Sequence, residues 1–93
     1  MLQRILNKIR DRVRRRQYVM TLHAEEEMSD DGLSIFDVER CLLTGEIFER
    51  QKDIASGEWK YLVKGQTVSG DEMVAVIKIS PRGKLVIITV YRL

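Results

Sequence analysis

The chain is poor in the residues on which conspicuous chemistry is usually built. Its 93 residues hold one cysteine, one histidine and one proline, and aromatics make up 6%. A single thiol forms no internal disulfide, and Cys41 has no ligand-type spacing around it, so a disulfide scaffold and a thiolate metal centre are excluded and a cytoplasmic protein is predicted. No apolar run reaches about 18 residues, which excludes a membrane-spanning helix, and no membrane partner is expected. The basic N-terminus lacks a continuous apolar h-region, so no signal peptide is expected. A phosphate-binding glycine loop, a cysteine pair, a nucleophile elbow and a His-Glu-x-x-His motif are all missing. No metal or other cofactor is expected. Repeats, low-complexity tracts and linkers are absent too, so residues 1–93 read as one domain.

What is present is an ordinary globular composition, 44% hydrophobic and 32% charged, with charges sorted into blocks. Residues 1–20 carry seven Arg/Lys and one Asp, a net of +6. Residues 21–49 carry nine Asp/Glu and one Arg, a net of −8, and residues 50–93 carry eight Arg/Lys and four Asp/Glu, a net of +4. Either the blocks neutralise one another in the fold, or the basic ones face an anionic partner.

Leu2, Ile5, Leu6, Ile9 and Val13 recur at helical spacing, with Arg4, Lys8, Arg12, Arg15 and Arg16 on the other sides. This predicts an amphipathic helix from residue 2 to about 16. Its Arg12-Val-Arg-Arg-Arg16 run suits phosphates or an acidic surface, and equally a solvated capping face. Tyr18-Val-Met20 reads as an extended link. Thr21 caps a second helix through Met28, and Ser34 with Asp37 forms a capping-box pattern for a third. Ile35, Val38, Cys41 and Leu42 mark that helix's buried face, which makes Cys41 a core residue.

From Glu46 the period changes to two. Glu46 to about Asp53 and Glu58–Lys64 read as strands, the second with Trp59, Tyr61 and Val63 on one face and Lys60, Leu62 and Lys64 on the other. Met73–Ile79 and Lys84–Arg92 follow, joined by Ser80-Pro-Arg-Gly83, which has the chemistry of a type I turn closed by a left-handed glycine. The unbroken β-branched run Val86–Val90 predicts a central strand covered on both faces. The turn sets Lys78 near Val86 and Val74 near Val90, and so Lys78 and Arg92 on one face. The expected fold is α+β: two to three N-terminal helices packed on a four-stranded antiparallel sheet.

Two sets of polar residues are candidates for chemistry. His23 lies at the start of a helix with Glu26 and Glu27 one turn on, where an imidazole serves either in proton transfer or as a capping and packing residue. Arg50, Lys52, Lys60, Lys64, Lys78, Arg82, Lys84 and Arg92 stand among Trp59, Tyr61 and Tyr91. Cations bind phosphates while aromatics stack on bases, although strand faces also carry Lys and Arg merely to discourage edge pairing.

The stretches His23-Ala-Glu-Glu-Glu-Met28, Gly32-Leu-Ser-Ile-Phe-Asp-Val38, Gly45 and Gly83-Lys-Leu-Val-Ile-Ile-Thr-Val-Tyr91 together resemble the family called domain of unknown function 4258. The likeness covers about residues 18–92 and leaves most of the first helix as an addition. That family resembles the RelE- and BrnT-like toxins of bacterial toxin–antitoxin pairs, which are metal-independent ribonucleases, and its own members are often encoded beside a zinc-ribbon antitoxin. The resemblance implies a RelE-like sheet, RNA as substrate, cutting by 2′-hydroxyl attack, and an antitoxin protein as partner. It makes His23 or Tyr91 the proton-transfer residue and gives Lys60, Lys78 and Arg92 the phosphorane charge. Arg50, Lys52, Lys64, Arg82 and Lys84 would hold the RNA. Many family members carry arginine where this chain has Glu27 and Asp31, and a non-catalytic protein- or RNA-binding module of the same fold is the alternative expectation.

Overall fold

The computed structural model describes residues 2–93. Helix α1 spans Leu2–Arg14 and buries Leu6, Ile9 and Val13, as its spacing requires. It ends two residues before the predicted limit because Arg16 adopts a left-handed conformation, φ 55°. There the Gln17 N–H donates to the Arg12 carbonyl at 2.8 Å and the Arg16 N–H to Val13 at 3.0 Å, the two bonds of a Schellman end. Two further ties hold α1 to the body: Arg10 Nη2 donates to the Gly45 carbonyl at 2.8 Å, and Arg12 Nε to the Gly83 carbonyl at 2.7 Å.

The sheet departs from expectation. Tyr18–Met20 is not a link but a strand, β1, pairing in parallel with β5 (Leu85–Arg92) so that Tyr18 faces Leu85 and Met20 faces Ile87. With β2 (Glu46–Lys52), β3 (Trp59–Gln66) and β4 (Glu72–Ile79) the sheet is therefore five-stranded and mixed, in the order β1-β5-β4-β3-β2. A three-residue strand is too short to show a period, so only its long-range partner reveals it. The middle strand is β4; β5 stands next to the edge. Helices cover one face of β5, burying Leu85, Ile87 and Val90, while Val86, Ile88, Thr89 and Tyr91 on the other side are half-buried.

The turn prediction holds near the turn and fails beyond it. Lys78 faces Val86 as expected, but Ile77 faces Ile87 and Val76 faces Thr89, so Ile88 is an extra residue in a β-bulge. The one-residue shift puts Tyr91 opposite Val74 and Arg92 opposite Met73. Val90 and Arg92 thereby move to the helix-covered face, away from Lys78.

Helix α2 (Leu22–Asp30) runs directly out of β1. The Thr21 hydroxyl accepts from the Ala24 N–H at 3.1 Å and donates to the Ile88 carbonyl at 2.8 Å, capping the helix and pinning it beside the bulge. Helix α3 (Ile35–Thr44) opens with the capping box expected of Ser34 and Asp37. Val38, Cys41 and Leu42 of α3 then meet Val63, Met73, Ala75 and Ile77 in the main core.

Asp37 has a second role, accepting the Val68 N–H at 2.8 Å and so tying the β3–β4 loop to α3. Backbone N–H donors at Ser34 and Val68 hold its carboxyl below the usual value of 3.8. A depressed carboxylate contributes stability above its unfolded pKa and loses it as pH falls through the folded one. Asp37→Ala should therefore lower stability at pH 7 by about 1 kcal/mol. Urea titrations at successively lower pH should show that difference fading below the normal carboxylate range.

Candidate functional site

Alternation along β3 sends Trp59, Tyr61 and Val63 toward the helices and Lys60, Leu62 and Lys64 to the opposite face. On that face, among the described residues, the hydrophobic side chains packed on Leu62, Val74 and Val76 are Ile88 and Tyr91, both from the sheet itself. Tyr61 faces Ile77 across β3 and β4, and the same register continued one residue sets Lys60 opposite Lys78. Like charges directly across a ladder repel and destabilise the pair. The two lysines share a hollow of about 280 Å³ with Thr21, Asp53, Ser56, Glu58, Val86 and Ile88. Lys78 Nζ lies 3.4 Å from a Glu58 carboxylate oxygen, both side chains about one-third exposed (34% and 29%). Lys60 has no carboxylate at ion-pair distance among the described residues.

Two residues along the chain from Thr21 in the lining, α2 carries His23, 66% exposed, with Nε2 2.9 Å from Glu27 Oε1. The Thr89 hydroxyl donates to the same Glu27 oxygen. A polar line thus runs from α2 to the open face of β5, two residues from Thr21 in the hollow's lining. Glu27 is the partner that helical spacing offered to His23, at i+4.

The remaining sequence candidates lie elsewhere. Lys64 pairs with Glu72 at 3.4 Å, and Tyr91 packs on the Leu62–Val74–Val76 cluster, both toward the far end of the sheet. Arg92 is also at that end, about 17 Å from Lys78 at the strand rise. Its guanidinium donates to the Asp31 carbonyl at 2.8 Å, the Asp71 carboxylate at 3.1 Å and the Gly32 carbonyl at 3.4 Å. Those bonds clamp the α2–α3 loop to the start of β4. Arg50 lies 4.4 Å over the Trp59 ring and Lys52 5.7 Å from it, a cation–π group at the outer end of β2 and β3. Arg82 and Lys84 stand at the β4–β5 turn.

Of the sequence candidates, the structure therefore brings Lys60 and Lys78 into one hollow, and His23 lies outside its lining. Glu58, Asp53 and Ser56 in the same hollow escaped sequence reasoning. One signal for Glu58 was available, since a strand period places it two residues before Lys60 on the same face.

Cys41 is fully buried, its thiol 3.7 Å from the Val63 carbonyl and 3.8 Å from that of Met73. Burial pushes its pKa up to about 12, so thiolate is scarce at neutral pH. Iodoacetamide at pH 8 should leave Cys41 unmodified in the native protein and label it fully in urea, as intact mass would show.

Among the described residues no group of His, Cys, Asp and Glu is placed to hold a metal ion, and no helix is long and apolar enough to cross a membrane. No curated protein and no solved structure matches the chain. Residues 20–92, from the end of β1 to the end of β5, match the family model described as Domain of unknown function (DUF4258), and the chain belongs to that family.

Proposed function

We propose that this protein is a metal-independent endoribonuclease of the RelE- and BrnT-like toxin kind, acting at the Lys60–Lys78 hollow and held in check by an antitoxin protein. The observation that carries this reading is that Lys60 and Lys78, each one residue beyond the paired Tyr61 and Ile77, line one open hollow beside the Glu58 carboxylate. In-line attack of a 2′-hydroxyl on the adjacent phosphorus forms the 2′-O–P bond and breaks the 5′-O–P bond, leaving a 2′,3′-cyclic phosphate and a 5′-hydroxyl. Glu58 accepts the 2′-hydroxyl proton. Lys60 and Lys78 stabilise the added negative charge on the phosphorane, and His23, steadied by Glu27, returns a proton to the leaving 5′-oxygen. Tyr91, along the same face, offers a ring on which a base can stack.

The test is incubation of unstructured RNA with purified protein in excess chelator. Cyclic-phosphate ends should appear, a 2′-deoxy substitution at the cut position should block them, and Lys60→Ala with Lys78→Ala should suppress them. Cutting that survives both substitutions removes the site.

The charge balance of the hollow favours a second reading. Asp53 and Glu58 match its two lysines in formal charge, as Glu72 and Asp71 match Lys64 and Arg92. A face neutralised in this way suits a non-catalytic module that docks a protein. Recovery of a stoichiometric partner, with no RNA cleavage and no growth arrest on induction, would select it.

A further inference from the structure

A second concavity is more positive than the lysine hollow. Where the end of α1 meets the β4–β5 turn, a hollow of about 440 Å³ is lined by Arg12, Arg16, Tyr18, Arg82, Gly83 and Lys84, with Gln17 between. Arg16, Arg82 and Lys84 are exposed, and none has a carboxylate at ion-pair distance among the described residues. Asp11, bonded to Arg12 at 2.8 Å and Arg15 at 3.1 Å, offsets one of the four lining cations. Glu39 is nearby but accepts the Tyr18 hydroxyl at 2.5 Å and does not line the hollow.

Two features mark this cluster as more than a solvated helix end. Arg16 occupies the left-handed position that closes α1, where glycine costs the backbone least, yet the residue there carries a long cationic side chain. The hollow also has an address. Lys84 is two residues, about 7 Å of strand, from Val86 in the lining of the Lys60–Lys78 hollow. A nucleic-acid backbone leaving one hollow along the β1–β5 edge reaches the other within a few nucleotides.

We propose that this basic hollow is a docking site for the sugar–phosphate backbone of single-stranded RNA, gripping phosphates outside the bond that is cut. The assignment of RNA as ligand rests on the reading above; the geometry of the hollow does not. Four of its seven lining residues, Arg12, Arg16, Gln17 and Tyr18, lie outside the residues that the family model matches.

The experiment is fluorescence anisotropy with a 2′-O-methyl oligonucleotide, which cannot be cut, across a series of salt concentrations. The proteins compared are wild type, Arg16→Gly with Arg82→Ala, and Lys60→Ala with Lys78→Ala. Glycine at the left-handed position should leave the melting temperature no lower than wild type, so lost binding cannot be charged to misfolding. The arginine double variant should bind about tenfold more weakly at low salt. Its plot of log affinity against log salt should be flatter by about 1.4, at ~0.7 for each single-strand phosphate that is no longer neutralised.

Wild type that binds no RNA, or arginine variants with unchanged affinity and slope, overturn the proposal. So does polyglutamate competing as well as RNA, which would mark an acidic protein surface as the ligand. If binding depends on Arg16 and Arg82 but the wild type never cuts RNA, the docking site stands and the ribonuclease reading falls. If wild type cuts and binding ignores both arginines, the reverse holds.

Discussion

Alanine at Gly65 should lower the melting temperature by roughly 12–24 °C, taking about 3 kcal/mol at 4–8 °C per kcal/mol for a domain of this size. The cause is the approach of α3 to β3. A Cβ added to Gly65 would overlap the Cys41 carbonyl oxygen and come within 2.9 Å of the Cys41 Cα, both backbone atoms that cannot swing aside. Gly45 meets the same carbonyl from the end of the helix: its N–H donates there at 2.8 Å, and its added Cβ would lie 2.5 Å from both the Cys41 and the Lys64 oxygens. The helix is thus seated on the strand by two missing side chains, and every buried side chain of α3 is placed by that seating. A Gly65→Ala protein melting within about 3 °C of wild type, well under the shift of a single kcal/mol, would mean the helix can back away at little cost.

Loss of the two facing lysines is the second large effect, and it should fall on activity while sparing the fold. Removing one preorganised charge-stabilising donor costs about 10²–10³ in turnover. Lys60→Ala and Lys78→Ala should each lower RNA cutting in that range. The double variant should fall short of the product, because the proposed mechanism sets both cations on the same phosphorane oxygens. Stability should move the other way for Lys60→Ala, which relieves like-charge repulsion across the ladder without stripping Glu58 of its partner. Lys78→Ala removes that partner and should be close to neutral. Single-turnover cleavage beside thermal melts separates the two effects; activity lost in step with melting temperature would place the lysines in the scaffold instead.

Much of this architecture was legible in the residues. The Ser34–Asp37 spacing announced the third helix, period-two patterning announced β3, and Ser80-Pro81-Arg82-Gly83 announced the turn that sets Lys78 against Val86. What escaped was long-range or carried no local mark. Tyr18–Met20 is a strand only because Leu85–Ile87 offers it an edge. Ile88 is inserted into an unbroken β-branched run whose residues all suit either face, so nothing in composition flags the bulge. The facing of Lys60 and Lys78 depends on β3–β4 register across the five-residue loop 67–71, a register that no local turn signal specifies. The lysines were therefore readable one at a time as cations on strands, whereas their meeting, and the carboxylates beside them, required the sheet.

The extra residue at Ile88 decides which way the last four side chains of β5 point. Were the bulge drawn flat, with Ile88 taking the place opposite Val76, inside and outside would exchange from Thr89 onward. Thr89 and Tyr91 would turn under the helices, while Val90 and Arg92 would emerge on the face of the lysines. The guanidinium that now fastens a loop would become a third cation on the exposed sheet. Removing Ile88 altogether would instead set Thr89 opposite Val76 in an even ladder and leave all four where they are, so the bulge is a spacer whose loss by deletion is silent and whose loss by slippage is not.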